Sequence, residues 1–160
     1  MFGIPRLTFW FTVIGLLPFY LATIAWYNDF VSDAIFSLYG PPTRLFGTYA
    51  IAIFGLLGGG YWAAVSMSES TRKTHYLMAI WPVLWIFFFF TFRGGLRPII
   101  IPTGFALLLI NDWYFVKQNL FPPWWLRNRI FVTVAILACY LVPIFDYQIQ
   151  TLLERIGGLN

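Results

Sequence analysis

A single acid sits where a charge is hard to keep. Asp112 lies in the apolar register of the segment 98–116, roughly one helical turn from its end. A carboxylate at that depth is unfavourable unless it is paired or reached by water. Two roles fit. If residues 117–123 form a hairpin turn centred near Leu120 and Phe121, residues equally far from the turn stand level, and Asp112 faces Arg129. The pair would then be an interhelical salt bridge near the interface. In the other role Asp112 belongs to a proton or ion relay. A relay needs a second acid, His or Lys at comparable depth, and the sequence has none. The ion pair of Asp112 with Arg129 is therefore the expected use. Lys117, five residues on, is off the helical pairing spacing.

The other residue types that do chemistry are poorly placed for it. His75 is the only histidine and adjoins Arg72 and Lys73. With no Cys, Asp or Glu at ligand spacing, a metal site is not expected, and a bis-His haem within one chain is impossible. Ser66, Ser68 and Ser70 stand near Glu69 and His75, but in a turn rich in capping residues with no elbow motif. Gly58-Gly59-Gly60 lacks the GK[ST] ending of a phosphate loop. Cys139 is the only cysteine, so it reads as a small buried apolar residue. No catalytic, metal-ligating or cofactor-binding residue is expected.

The elements that must position Asp112 are written in the composition. Of the 160 residues, 60% are hydrophobic, 22% aromatic and only 10% charged, against roughly 25% charged in an average soluble domain. Too few charges remain to clothe a water-exposed surface, so the bilayer is the expected solvent. The formal charge is +4, but the basic residues lie singly or in pairs between apolar segments. They read as topology determinants and headgroup contacts, and nucleic-acid binding is not expected.

Five apolar segments at about 7–27, 44–67, 76–92, 98–116 and 130–145 reach or approach the roughly 20 residues that cross the hydrocarbon core. Pro18 interrupts the first, which Trp26 and Tyr27 close. Gly40-Pro41-Pro42 restarts the chain, with Thr43 expected to cap the second helix; Arg93-Gly94-Gly95-Leu96-Arg97 makes a tight turn. Pro143 and Asp146 are expected to end the fifth span, and 147–160 to form an interfacial tail broken at Gly157-Gly158. The VSDAIFSLY stretch in the first loop could lie on the membrane as a short helix. The expected fold is an all-α polytopic membrane bundle of about five transmembrane helices in a single domain.

Five spans put the two ends on opposite sides. Arg6, Arg72, Lys73, Lys117, Arg127 and Arg129 fall on one side, and Arg44, Arg93, Arg97 and Arg155 on the other. The excess places the end before the first span inside.

The segment Phe46 to Trp62, FGTYAIAIFGLLGGGYW, carries five glycines in seventeen residues. Gly55, Gly59 and Ala63 recur every fourth residue, a stripe where another backbone can approach closely, and they are expected to form a helix-packing seam. Phe87 to Phe90 cover every face of their helix, so some rings must look outward at lipid or, alternatively, at a quinone or carotenoid.

Gly15-Leu16-Leu17-Pro18-Phe19, then Leu57-Gly58-Gly59-Gly60-Tyr61-Trp62, then Asp112-Trp113 followed by Pro122-Pro123-Trp124-Trp125-Leu126-Arg127-Asn128-Arg129 together resemble the transmembrane-protein-69-like family. That family is a domain of unknown function found in proteobacteria and in eukaryotic mitochondria, and the resemblance spans roughly Leu7 to Tyr147. It implies a small polytopic inner-membrane protein, bacterial or mitochondrial, and brings no catalytic residues with it. Where members often carry His, this chain has Tyr61.

The expected function is a non-catalytic accessory subunit of a larger energy-transducing complex, respiratory or photosynthetic, with lipids and other membrane subunits as partners. The alternative is a small transporter or channel component with Asp112 near its pathway. A membrane enzyme acting on lipid or quinone comes after both.

Overall fold

Helix boundaries in this chain follow its prolines, glycines and short polar turns. The computed structural model describes the backbone of residues 3–69, 72–91 and 97–157, with side chains there except at 88–91, 97–99, 142–144 and 146–157. The helices are α1 Arg6–Gly15, α2 Leu17–Ile24, α3 Asp29–Tyr39, α4 Pro42–Ser66, α5 Lys73–Thr91, α6 Arg97–Lys117 and α7 Pro123–Gly157, and the described residues include no strand. Arg6–Ile24 and Pro42–Ser66 are long and apolar enough to cross a membrane. Residues 93–96 of the expected tight turn, Ser70, Thr71 and the break at Gly158 lie outside the described residues.

The first apolar run is interrupted at Leu16, between α1 and α2. At Leu16 the ladder tightens: Leu16 N–H donates to Val13 O at 3.1 Å and Phe19 N–H to Leu16 O at 3.0 Å. The Gly15 carbonyl, which would have taken the Phe19 N–H in a regular helix, instead accepts the Tyr49 hydroxyl of α4 at 2.7 Å. The loop from Asn28 to Pro42 holds a real helix. Asn28 caps α3 by accepting the Val31 N–H at 3.1 Å, and Gly40 ends it with φ 83°, a conformation that suits glycine.

Two expected boundaries are corrected. Thr43 does not cap α4: the helix begins at Pro42, whose fixed φ fits a first turn, and no side chain caps it. Nor does Pro143 end the last helix, because α7 runs unbroken from Pro123 to Gly157, so 147–157 continues the same helix instead of starting a separate one. Proline lacks the N–H that would bond the carbonyl four residues back, which here is Cys139. Thr23 on α2 supplies the missing donor. Its hydroxyl stands 3.0 Å from Cys139 O and 3.0 Å from Phe19 O, one proton shared between two carbonyls. A hydroxyl on a neighbouring helix is one of the devices that satisfy a carbonyl freed by proline.

Helices α2, α4, α5, α6 and α7 form a closed ring in that order, α7 returning to α2, with α3 laid against α2 and α4. Aromatic rings fill the middle: Phe19 meets Phe46, Tyr49 and Phe105, and Phe105 meets Phe54, with centroids 4.7–6.2 Å apart. Such pairs contribute about 0.5–1.5 kcal/mol beyond area burial. That term does not require water outside.

Close backbone approach falls at two other glycines. A Cβ on Gly58 would lie 2.8 Å from Val83 Cγ2 on α5, and one on Gly104 would lie 2.5 Å from Trp85 Nε1 and 2.6 Å from Phe54 Cζ. Gly104 thus lets the Trp85 indole cross to α6, where it donates to Ile100 O at 2.8 Å.

Candidate functional site

Asp112 is the centre of the polar interior, and its surroundings follow from helical spacing. On α6 the residues Phe105, Leu108, Asn111, Asp112 and Phe115 recur at intervals of three, three, one and three, and all are buried, so Asp112 is carried inward, with Asn111, by a face that is otherwise apolar. The turn after α6 sets the height of its partner. Asn119 takes φ 57°, Leu120 N–H donates to Phe115 O at 3.0 Å and Asn119 N–H to Val116 O at 3.1 Å. This is the Schellman arrangement that closes a helix C-terminus. The chain then turns back into α7 with Arg129 level with Asp112.

Arg129 Nε donates to Asp112 Oδ2 at 3.0 Å, with side-chain exposures of 6% and 0%. The other carboxylate oxygen accepts twice: from the Tyr61 hydroxyl at 2.6 Å and from Trp125 Nε1 at 2.6 Å. Tyr61 is on α4, Asp112 on α6, and Trp125 and Arg129 one turn apart on α7. One acid therefore clamps three helices. The surrounding rings of Phe115 and Phe121 lie 5.0 and 5.6 Å from Tyr61, and Phe121 stacks on Trp125 at 4.7 Å. A buried pair in such a setting is costly unless geometry is good and the remaining lone pairs and protons are satisfied; three donors serve the carboxylate, while Arg129 Nη2 is buried without a partner among the described residues. The arrangement holds helices in register. Both carboxylate oxygens are engaged by side chains of this chain.

The sequence pointed to Asp112 and Arg129 but not to Tyr61 or Trp125. Both could have been found. Tyr61 is seven residues beyond Phe54 on the α4 face, so its hydroxyl, once buried, needed a partner. Trp125 precedes Arg129 by four and shares its face.

The glycine stripe lies elsewhere. Gly55, Gly59 and Ala63 are exposed, and a Cβ at Gly55 or Gly59 would meet nothing within 4 Å. The stripe therefore packs against none of the described residues of this chain. The buried face of α4 runs through Phe46, Ala50, Phe54, Leu57, Gly58, Tyr61 and Val65. Gly59 stands about 100° around the helix from Gly58, the glycine that does meet α5.

His75 is buried at the start of α5, its ring edge-on to Tyr114 at 5.8 Å. Its Nδ1 accepts the Arg72 N–H at 3.3 Å. Cys139 is buried and free. Lys117, without an acid at pairing distance in sequence, lies over the Trp113 ring at 4.5 Å, four residues back. Phe87 is exposed, while the side chains of Phe88, Phe89 and Phe90 lie outside the described residues.

A family model described as a protein of unknown function, DUF3429, matches residues 4–145. The chain belongs to the DUF3429 family. The DUF3429 match takes in α1 to α6 and most of α7, and with them Tyr61, Asp112, Trp125 and Arg129. No curated protein and no solved structure matches the chain.

Proposed function

We propose that this DUF3429 protein is a polytopic inner-membrane protein, bacterial or mitochondrial, acting as a non-catalytic accessory subunit of a larger energy-transducing complex. The observation that carries this reading is a division of labour on the helices. The Asp112 carboxylate is engaged by three donors inside the chain. The small-residue stripe Gly55, Gly59 and Ala63 faces outward, with open space over its glycines. In lipid, small residues favour helix association because backbones can approach closely.

The five-span arrangement is part of the proposal. Besides the two spanning candidates, α5 has 19 residues, α6 has 21 and α7 has 35, which at about 1.5 Å per residue give roughly 28 Å or more each. The hydrocarbon core is about 30 Å thick. The excess of Lys and Arg puts the Arg6 end inside. Kinship with transmembrane-protein-69-like proteins, through Gly58 to Trp62 and the Asp112 to Arg129 pattern, agrees with this location.

The test is gentle extraction of a tagged chain followed by native electrophoresis and identification of what travels with it. The proposal expects a large assembly of other membrane subunits, lost in Gly59→Leu and kept in Cys139→Ala. Migration of the native protein only as a free monomer or homodimer would refute it.

A further inference from the structure

Five exposed cations gather at the end of the bundle where α1, α5 and α7 begin and α4 and α6 finish: Arg6, Arg72, Lys73, Lys117 and Arg127. Among the described residues Glu69 is the one exposed acid there. The only ion pair among the described residues is the buried one of Asp112 with Arg129, so none of the five cations is neutralised by it. At the opposite end the exposed charges with described side chains are Asp29, Asp33 and Arg44.

Aromatic rings lie one turn beneath the cations. Tyr61 donates to Asp112 at 2.6 Å, so the residues one step nearer this end, Trp62 on α4 and Trp113 on α6, stand close to level. The Tyr76 ring of α5 meets Trp62 at 5.3 Å. Thr12 accepts from Asn128 at 3.1 Å, beside Arg129, which brings Trp10 of α1 near the same depth. Trp10, Trp62 and Trp113 are 57%, 48% and 49% exposed. Toward this end Arg6 is four residues from Trp10, Lys73 three from Tyr76 and Lys117 four from Trp113, each about 4.5–6 Å further along its helix on the same face. Lys117 Nζ lies 4.5 Å from the Trp113 ring centre. Three helices thus repeat one device, a cation one turn above a ring.

That device fits a phospholipid. Amphipathic rings settle at the headgroup level of a bilayer, and Lys and Arg reach past them to the polar surface. An acidic protein or a nucleic acid would use the charges and leave the ring layer without a role. We propose that this end of the bundle is a docking surface for anionic phospholipids, Arg6, Lys73 and Lys117 taking the phosphates while Trp10, Trp62 and Trp113 lie against the glycerol region. The surface presupposes the membrane location proposed above and adds the lipid class it selects. It is also the end that the proposed topology puts inside.

The test follows thermal unfolding of the full chain in a neutral detergent on adding phosphatidylglycerol, phosphatidylcholine or inorganic pyrophosphate. Phosphatidylglycerol is expected to raise Tm by about 3–6 °C at ten times its dissociation constant, and the other two much less. The triple change Arg6→Gln, Lys73→Gln and Lys117→Gln, all at exposed positions, is expected to abolish that difference, and Arg44→Gln at the other end to keep it. Equal shifts with the two lipids, an equal shift with pyrophosphate, or a preference that survives the triple change would overturn the proposal. Alkaline carbonate washing of membranes carrying the chain separates the two failures. Retention without lipid preference overturns the docking surface alone, and release overturns the membrane location with it.

Discussion

Removing the acid at the centre of the clamp should harm the protein more than removing the clamp altogether. Asp112→Ala leaves the Arg129 guanidinium buried without its counter-charge, and breaking a buried pair in this way costs about 3–5 kcal/mol. It also strands the Tyr61 hydroxyl and Trp125 Nε1, which now share Asp112 Oδ1, at about 1–3 kcal/mol each if they stay unsatisfied. Neighbouring effects do not add fully. A loss of at least about 4 kcal/mol is expected, a large part of the 5–15 kcal/mol that holds a typical domain together. The double change Asp112→Leu with Arg129→Met removes both charges and keeps the volume, and such replacements are often neutral or stabilising. Its Tm should therefore exceed that of Asp112→Ala. The assay is a double-mutant cycle on Asp112→Leu and Arg129→Met, read by thermal unfolding in one fixed detergent. A coupling energy of at least about 2 kcal/mol is expected. Additive single effects, or Arg129→Met within about 0.5 kcal/mol of the parent chain, would sink the reasoning, because they would mean that the pair is solvated.

Gly58→Leu should destabilise the isolated chain by about 1–3 kcal/mol or more, since even its Cβ would crowd Val83. Gly59→Leu should leave the Tm of the isolated chain within a degree or two while changing its migration in native gels, so equal Tm losses in the two variants would count against the outward orientation of the stripe. Thr23→Val should cost about 1–2 kcal/mol by leaving the Cys139 carbonyl without a donor. Pro143→Ala should rescue Thr23→Val by restoring the missing N–H, and failure of that rescue in a thermal scan would show that Thr23 acts through packing instead. Gly104→Ala should lower Tm by displacing the Trp85 indole, with a change in tryptophan emission as a second readout.

Much of the helical layout is legible in the sequence because it depends on local chemistry. Gly40-Pro41-Pro42 restarts the chain whatever surrounds it, and a hairpin between α6 and α7 makes Arg129 the residue level with Asp112 by counting alone. The glycine stripe shows where counting stops. A four-residue repeat of small residues identifies a face of α4, but which face turns inward depends on what the neighbours offer. Phe54, Leu57 and Tyr61 had partners inside the ring, so Gly58 took the contact with α5 and Gly59 was turned out. Pro143 misled for a related reason. Proline ends a helix when its orphaned carbonyl goes unsatisfied, and the donor that satisfies it here, Thr23, is 116 residues away.

By itself, then, the sequence determined the all-helical class, the scarcity of charge, and the pairing of Asp112 with Arg129. These follow from backbone propensity, composition and the arithmetic of a short hairpin. Only the tertiary structure decided that Tyr61 and Trp125 complete the shell of Asp112, that α7 passes through Pro143 without a break, and that the glycine stripe looks away from its own chain. Each of these depends on groups from helices distant in sequence meeting at one height. Register between such helices is a property of their joint packing that local spacing does not encode.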